Sequence, residues 1–158
     1  MILDSGNRSK FNSGAVRDIQ EGKGRCDLLP LDVIAEMYHD NVFRFIYQFT
    51  QDGDIAWLYE TLANTMPKFG NYSTMFLEVS KHFEEGAKKY GDNNWQKGIP
   101  ASCYINSAVR HLLKWIRNDA DEPHDRAFVW NILCCTWTCQ HMPELNDYRK
   151  EDKPCDKT

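Results

Sequence analysis

The apolar residues of this chain recur every three or four positions through five successive segments, which is the spacing of the buried face of an α-helix. Glycine or proline interrupts the pattern between segments, as at Pro30, Gly53, Pro67, Gly91 and Pro123, and both residue types end helices. The spacing predicts helices over residues 31–51, 55–65, 73–90, 101–117 and 124–140. No convincing pair of strands and no internal repeat accompanies them. The predicted fold is therefore all-α, a helical bundle of about five helices.

The chain divides into an N-terminal arm, a helical domain and a tail. Residues 1–30 are rich in glycine and poor in large apolar side chains, which predicts an irregular, locally basic arm. Within it, Gly22-Lys23-Gly24-Arg25 offers open backbone amides and two cations, so the arm is either a flexible terminus or a segment that folds over a phosphate site. Residues 31–143 form the predicted helical domain, with Ser73 as the N-cap of its third helix. Residues 144–158 form a charged tail that is expected to fray.

Composition limits the partners that this chain can bind. Its 158 residues contain 19 Lys and Arg against 23 Asp and Glu, a net charge of −4, whereas nonspecific binders of nucleic acid polymers are normally basic. No apolar run approaches the ~20 residues of a membrane helix, and the polar start of the chain lacks the apolar core of a signal peptide. The six cysteines form no disulfide framework and are interpreted as reduced thiols. We therefore expect a cytoplasmic protein whose partners include neither a nucleic acid polymer nor a membrane.

Two acids and two lysines form the first polar group on an otherwise apolar helix. Glu84 and Lys88 are one turn apart and share a face, with Glu85 and Lys89 beside them. One interpretation is a set of solvated salt bridges. In the other, a helix carboxylate holds a divalent cation and the lysines contact phosphate oxygens. The residues leave both interpretations open.

A basic stripe runs along the fourth predicted helix. It consists, at spacings of four, four and three, of Asn106, Arg110, Lys114 and Arg117. Three cations without an intervening acid repel one another unless an anion lies across them. The stripe therefore predicts either a solvated face or a phosphate-binding face. His111 lies beside it and is either a core histidine or a site residue.

The third polar group lies around the start of the fifth predicted helix. It consists of Asp119, Asp121, Glu122, His124, Asp125 and Asn131. Acids at a helix start also interact favourably with the helix dipole, which is the structural interpretation. Oxygen ligands dominate the group, which favours Mg²⁺ over zinc. A zinc site made of Cys135, Cys139 and His141 is the less favoured alternative.

Six short motifs point to a known family. They lie at residues 13–18, 22–30, 81–100, 107–111, 121–124 and 130–131, and the longest reads KHFEEGAKKYGDNNWQKGIP. In this order they resemble the phage and prophage dATP/dGTP diphosphohydrolase N-terminal domain family, over about residues 13–147. Residues 38–72 look like an insertion carried by part of that family, with a role in packing or oligomer contacts.

The resemblance implies a fold and an activity. The family is similar in kind to the MazG-like all-α NTP pyrophosphatases, which are helical bundles and usually oligomers. In those enzymes acids on two helices bind Mg²⁺, and a metal-activated water cleaves between the α and β phosphates. By this resemblance the chain would convert a purine (d)NTP to the monophosphate and pyrophosphate, as a homo-oligomer in the host cell cytoplasm if a phage encodes it.

The resemblance also assigns roles to residues. Glu84 would be the acid of the first helix, with Glu84 or Glu85 positioning or deprotonating the water. The metal ligands would be Glu84, Asp121, Glu122 and His124. Trp95 lies in a polar loop, where a base could stack on its ring. The residues expected to bind the nucleotide are Arg17, Lys23, Arg25, Lys88, Lys89, Asn94, Trp95, Arg110, His111, Lys114 and Asn131.

The chain departs from the family pattern in its acids. Lys88 occupies the third acid position of the first-helix motif, Asn106 stands where Asp is frequent, and Pro123 stands where an acid is common. Fewer acids mean weaker metal binding and a pocket that favours anions. The alternative hypothesis is therefore a non-catalytic phage protein that binds a nucleotide and sequesters it or a host nucleotide signal.

Overall fold

The computed structural model describes residues 4–150 and confirms the all-α architecture. Its helices are α1 (Leu31–Tyr38), α2 (Asn41–Asp52), α3 (Ala56–Thr65), α4 (Tyr72–Tyr90), α5 (Ala101–Ile116) and α6 (His124–His141). Short 3-10 turns lie at Cys26–Leu28, Met66–Phe69, Asn94–Lys97 and Pro143–Leu145. None of the helices in this described part is long and apolar enough to cross a membrane.

The first predicted helix is two helices, because the chain turns between residues 38 and 41. His39 adopts a left-handed conformation with φ of 52°. Asp40 then caps α2, since its carboxylate accepts a hydrogen bond from the Val42 amide at 2.7 Å. The predicted cap of the third helix is also corrected: Asn71, not Ser73, caps α4 by accepting from the Thr74 amide at 2.8 Å.

The antiparallel pair of α5 and α6 forms the centre of the core. Tyr104 and Leu112 of α5 and Phe128 and Ile132 of α6 are fully buried there. The remaining helices surround this pair, and α3 and α4 both pack on α6. In the segment interpreted as an insertion, α2 and α3 bury apolar side chains in the same core, such as Phe43, so this segment is part of the packing.

The arm contains a short strand pair, so the expectation of no strand pair is wrong. Strands β1 (Arg8–Lys10) and β2 (Val16–Asp18) pair antiparallel, with Arg8 opposite Asp18. Asn94 fixes β2 to the bundle: its amide accepts from the Val16 N–H at 2.9 Å and donates to the Val16 carbonyl at 2.7 Å. Strands of three residues with mixed polarity carry too little pattern to be recognised. The flexible-terminus interpretation therefore fails for the described part of the arm.

The start of the tail is packed rather than frayed. Asn146 donates to the Gly53 carbonyl at 2.8 Å, and Asp147 accepts from the Ser102 amide at 2.8 Å. The Tyr148 ring meets Phe49 edge-on, with centroids 5.5 Å apart. These contacts hold the tail against α2 and α5, whereas residues 151–158, including Cys155, lie outside the described part.

Candidate nucleotide and metal site

A cleft of about 580 Å³ opens between the arm, the C-terminal half of α4, α5 and the start of α6. Ten of the residues predicted as site residues line it: Arg17, Lys23, Glu84, Asn94, Trp95, Arg110, His111, Lys114, Glu122 and Asn131. Six others do not: Arg25, Glu85, Lys88, Lys89, Asp121 and His124. The folded arm and the basic stripe of α5 thus face each other across one cavity.

Arg17 extends from β2 into this cleft. Its guanidinium donates to the Asn131 side-chain oxygen and lies 5.1 Å from the Tyr104 ring centroid and 5.8 Å from that of Trp130. The buried side-chain oxygen of Asn131 therefore has a partner, and the side-chain nitrogen donates to the Ala127 carbonyl. The buried Nη1 of Arg17 has no hydrogen-bond partner among the described residues. A charged donor is thus fixed in place with capacity for a ligand.

Arg110 is the second such cation. Its Nη2 donates to the Gln20 side-chain oxygen at 2.9 Å, whereas its buried Nε has no partner in residues 4–150. Burial lowers the pKa of this guanidinium, since a charge without a neutralising acid is costly in a partly desolvated cleft. Within the described chain no carboxylate lies within 4.0 Å of Arg17 or Arg110. The cleft therefore holds two half-buried positive charges that suit an anion.

The other predicted cations already have acid partners. Lys114 Nζ lies 3.0 Å from Asp121 Oδ2, and Lys23 pairs with Asp18. Arg25 pairs with Asp27, with 63% of its side chain exposed. Lys88 and Glu84 form a salt bridge at 2.6 Å with 72% and 64% of their side chains exposed, as in the solvated interpretation, and Lys89 lies 3.5 Å from Asp4.

Two histidines and a glutamate meet at one end of the cleft. His111 Nδ1 on α5 lies 3.0 Å from His124 Nδ1, at the first residue of α6. Glu122 Oε1 lies 3.5 Å from the former nitrogen and 3.7 Å from the latter. Burial, followed by the nearby His124 and Arg110, lowers the pKa of His111 well below its usual value. Neutral imidazoles and a carboxylate are metal ligands.

Two ligand groups in the described residues could hold a metal ion. The first consists of His111, Glu122 and His124, and the second of Asp119, Asp121 and His124. Glu84 belongs to neither, so the structure does not bring it together with the other predicted metal ligands. Neither group in the described residues includes a cysteine, which leaves the zinc site of Cys135, Cys139 and His141 without support.

Several residues that line the cleft were not predicted from the sequence, among them Gln20, Trp130 and His82. Gln20 links Arg110 to the arm, and the half-buried Trp130 lies beside Arg17. His82 is buried against Trp130, with ring centroids 5.5 Å apart, although it lies inside the longest motif. An apolar helix pattern conceals such residues, because periodicity cannot distinguish the core from the wall of a cavity. Trp95, predicted to stack on a base, lies in the cleft wall and packs edge-on against Phe83 and Trp137.

The burial of His82 predicts a loss of stability in mild acid. Burial, followed by the charges of Arg126 and Arg17, lowers its pKa to about 4. The unfolded chain takes up this proton near pH 6.5 and the folded chain only near pH 4, so stability falls as the pH is lowered between these values. The shift corresponds to about 3 kcal/mol. The free energy of unfolding, measured with urea between pH 7 and 4, should fall less steeply in His82→Gln than in wild type. The exposed control His141→Gln should behave like wild type. Parallel profiles in His82→Gln and wild type would contradict this prediction.

The Asn94 amide should hold the arm in place. Asn94→Ala removes two hydrogen bonds and leaves the Val16 N–H and carbonyl without these partners, which should cost about 2–4 kcal/mol of unfolding free energy. The control Asn64→Ala removes an amide that donates to the Glu60 carbonyl of its own helix. Urea unfolding measures both, and equal losses in the two variants would show that Asn94 has no special role in holding the arm.

Comparison with known proteins places the chain in a family. The family model described as dATP/dGTP diphosphohydrolase, N-terminal, matches residues 66–148, just over half of the chain. This range contains α4, α5 and α6 and therefore most of the cleft walls, whereas the arm lies outside it. No curated protein and no solved structure matches the chain. On the strength of the family match, the chain belongs to the dATP/dGTP diphosphohydrolase N-terminal family.

Proposed function

We propose that this protein hydrolyses a purine (d)NTP between the α and β phosphates, giving the monophosphate and pyrophosphate. The observation that carries the proposal is the pair of half-buried guanidiniums, Arg17 and Arg110, in the same cleft as the cluster of His111, Glu122 and His124. The negative charge of a polyphosphate would balance the two guanidiniums. The clustered side chains would supply ligands for a divalent cation beside the polyphosphate.

The residues of the cleft divide into binding and metal-holding groups. Arg17 and Arg110 would each donate charge-assisted hydrogen bonds to phosphate oxygens, and this becomes more favourable as charge builds up on the leaving pyrophosphate. The aromatic wall of Phe83, Trp95 and Trp130 would enclose the base. Glu122 is the carboxylate of the cluster, and it lines the cleft. It would orient the attacking water and accept its proton.

Mg²⁺ belongs to this proposal as the ion that accompanies the triphosphate. Mg²⁺ is typically bound by substrate phosphates together with only one or two carboxylates, so most of its ligands here would come from the triphosphate. The ion would polarise phosphate oxygens and lower the pKa of the attacking water. The protein side chains that gather here are two imidazoles and one carboxylate, which is not the oxygen cage that Mg²⁺ alone would need.

A specific observation favours the alternative of a non-catalytic binder. Glu84, the acid of the first-helix motif, is exposed, forms a salt bridge with Lys88 and is outside the ligand clusters. A cleft with fewer metal-binding acids would still hold a nucleotide through Arg17 and Arg110. The two functions differ in the fate of the nucleotide, because a binder releases it intact.

One experiment distinguishes these functions. The full chain is incubated with each of the eight common (d)NTPs and Mg²⁺, and the products are separated by chromatography. Monophosphate with pyrophosphate, formed fastest from dATP or dGTP, is the expected result. Diphosphate with inorganic phosphate would contradict the cleavage position. Bound nucleotide recovered unchanged would establish the binder instead.

We also propose that the protein is a homo-oligomer. Tyr72, Phe76 and Leu77 expose apolar surface at the start of α4, and symmetric pairing of such a face is a common way to cover it. Light scattering should give a mass above the 18.5 kDa of the chain. Leu77→Glu should shift the protein towards the monomer, whereas the equally exposed Leu28→Glu should not. A concentration-independent monomer would contradict the proposal.

A further inference from the structure

The cluster of His111, Glu122 and His124 has the spacing of ligands that share one metal ion. The three ligand atoms lie 3.0, 3.5 and 3.7 Å apart. Ligands on a tetrahedral ion with bonds of about 2.0–2.1 Å are about 3.3–3.4 Å from one another. Because the imidazole nitrogens come from α5 and from the first residue of α6, packing of the two central helices fixes them without help from a nucleotide.

The hydrogen bond to Asp121 orients the His124 ring towards the cluster. His124 Nε2 lies 2.7 Å from Asp121 Oδ1, which leaves Nδ1 as the ring nitrogen that faces His111. Asp121 is itself held by Lys114 at 3.0 Å. A carboxylate that orients a histidine in this way is the usual outer partner of a metal-bound imidazole.

The three clustered side chains are largely buried, so the packing around them fixes their positions. The side chains of His124, Glu122 and His111 are 1%, 10% and 15% exposed, and the last two still line the cleft. Three protein ligands with one side open to a cavity is the arrangement of a catalytic rather than a structural metal site.

We propose that His111, Glu122 and His124 form a protein-held site for a first-row transition-metal dication of the kind that prefers imidazole, a class that includes Zn²⁺, Co²⁺ and Ni²⁺. This ion is separate from the Mg²⁺ of the nucleotide complex, because the protein binds it without substrate. The site is independent of the proposed hydrolysis: a nucleotide-binding protein without catalytic activity would contain it as well.

Cobalt binding tests the site directly. The full chain is stripped with a chelator, dialysed and titrated with Co²⁺ in the absence of nucleotide, with visible absorption as the readout. We expect one Co²⁺ per chain and the intense absorption bands of a four- or five-coordinate ion, unchanged by a large excess of Mg²⁺. The weak spectrum of the aqueous ion, or displacement by Mg²⁺, would overturn the proposal.

Matched variants identify the ligands. His111→Gln should weaken Co²⁺ binding about a hundredfold or more, and Asp121→Asn about 10–100-fold as an outer partner. Asp119→Asn removes a member of the other candidate group alone and should leave binding unchanged. The opposite pattern, with Asp119 essential and His111 dispensable, would overturn the assignment, and circular dichroism verifies that each variant is folded. Since no nucleotide is present, loss of Co²⁺ binding and absence of hydrolysis are separate results.

Discussion

Replacing Glu122 by Gln is expected to lower kcat for dNTP hydrolysis by about 10²–10⁴-fold, the range that a positioned general base contributes. The substitution keeps the size of the side chain but removes its charge and its ability to accept a proton. Glu122 lies within 3.7 Å of both clustered histidines and lines the cleft. The measurement is steady-state pyrophosphate release at saturating dATP or dGTP.

Glu84→Gln is the matched control and tests the role that the family resemblance assigns to Glu84. Its carboxylate pairs with Lys88 at the exposed rim of the cleft, so this change should lower kcat much less than Glu122→Gln. A large loss in Glu84→Gln with activity retained in Glu122→Gln would show that the water is positioned from α4. Equal small losses would remove both carboxylates from the chemistry.

The helices could be predicted from the sequence because each combines a periodic apolar face with a local stop signal. The Gly91 amide, for example, donates to the Ala87 carbonyl at 2.8 Å and ends α4 where expected. The division between α1 and α2 could not be found in this way. Apolar residues continue across it, and the break depends on a left-handed His39 and a single cap at Asp40.

The candidate site was predictable in its composition but not in its arrangement. Spacing alone placed Arg110 and Lys114 together on one helix face, yet Lys114 pairs with Asp121 whereas Arg110 has no acid within 4.0 Å in the described chain. The cluster of His111, Glu122 and His124 joins two helices across a turn, and periodicity has no information about such tertiary pairing. The position of the arm depends on Asn94, 78 residues from Val16 in sequence.

Arg17→Ala and Arg110→Ala are each expected to weaken nucleotide binding roughly ten- to a hundredfold. A charge-assisted hydrogen bond contributes about 1.5–3 kcal/mol, and each guanidinium has a buried nitrogen without a partner in the described residues. Calorimetric titration with a non-hydrolysable dATP or dGTP analogue measures the effect without interference from turnover. Both variants should also reduce the salt dependence of binding, because fewer cations then meet the phosphates.

The exposed Arg25 provides a matched control in the same arm. It pairs with Asp27 and faces solvent, so Arg25→Ala should leave nucleotide affinity within about twofold, because surface ion pairs contribute little. Arg17→Lys separates the effect of charge from that of geometry. A lysine keeps the positive charge but lacks the forked guanidinium that would contact both Asn131 and a phosphate oxygen. Arg17→Lys should therefore bind nucleotide more tightly than Arg17→Ala but more weakly than wild type. If Arg17→Ala, Arg110→Ala and Arg25→Ala all bind like wild type, the cleft does not bind phosphate, and hydrolysis and nucleotide sequestration would both lose their structural basis.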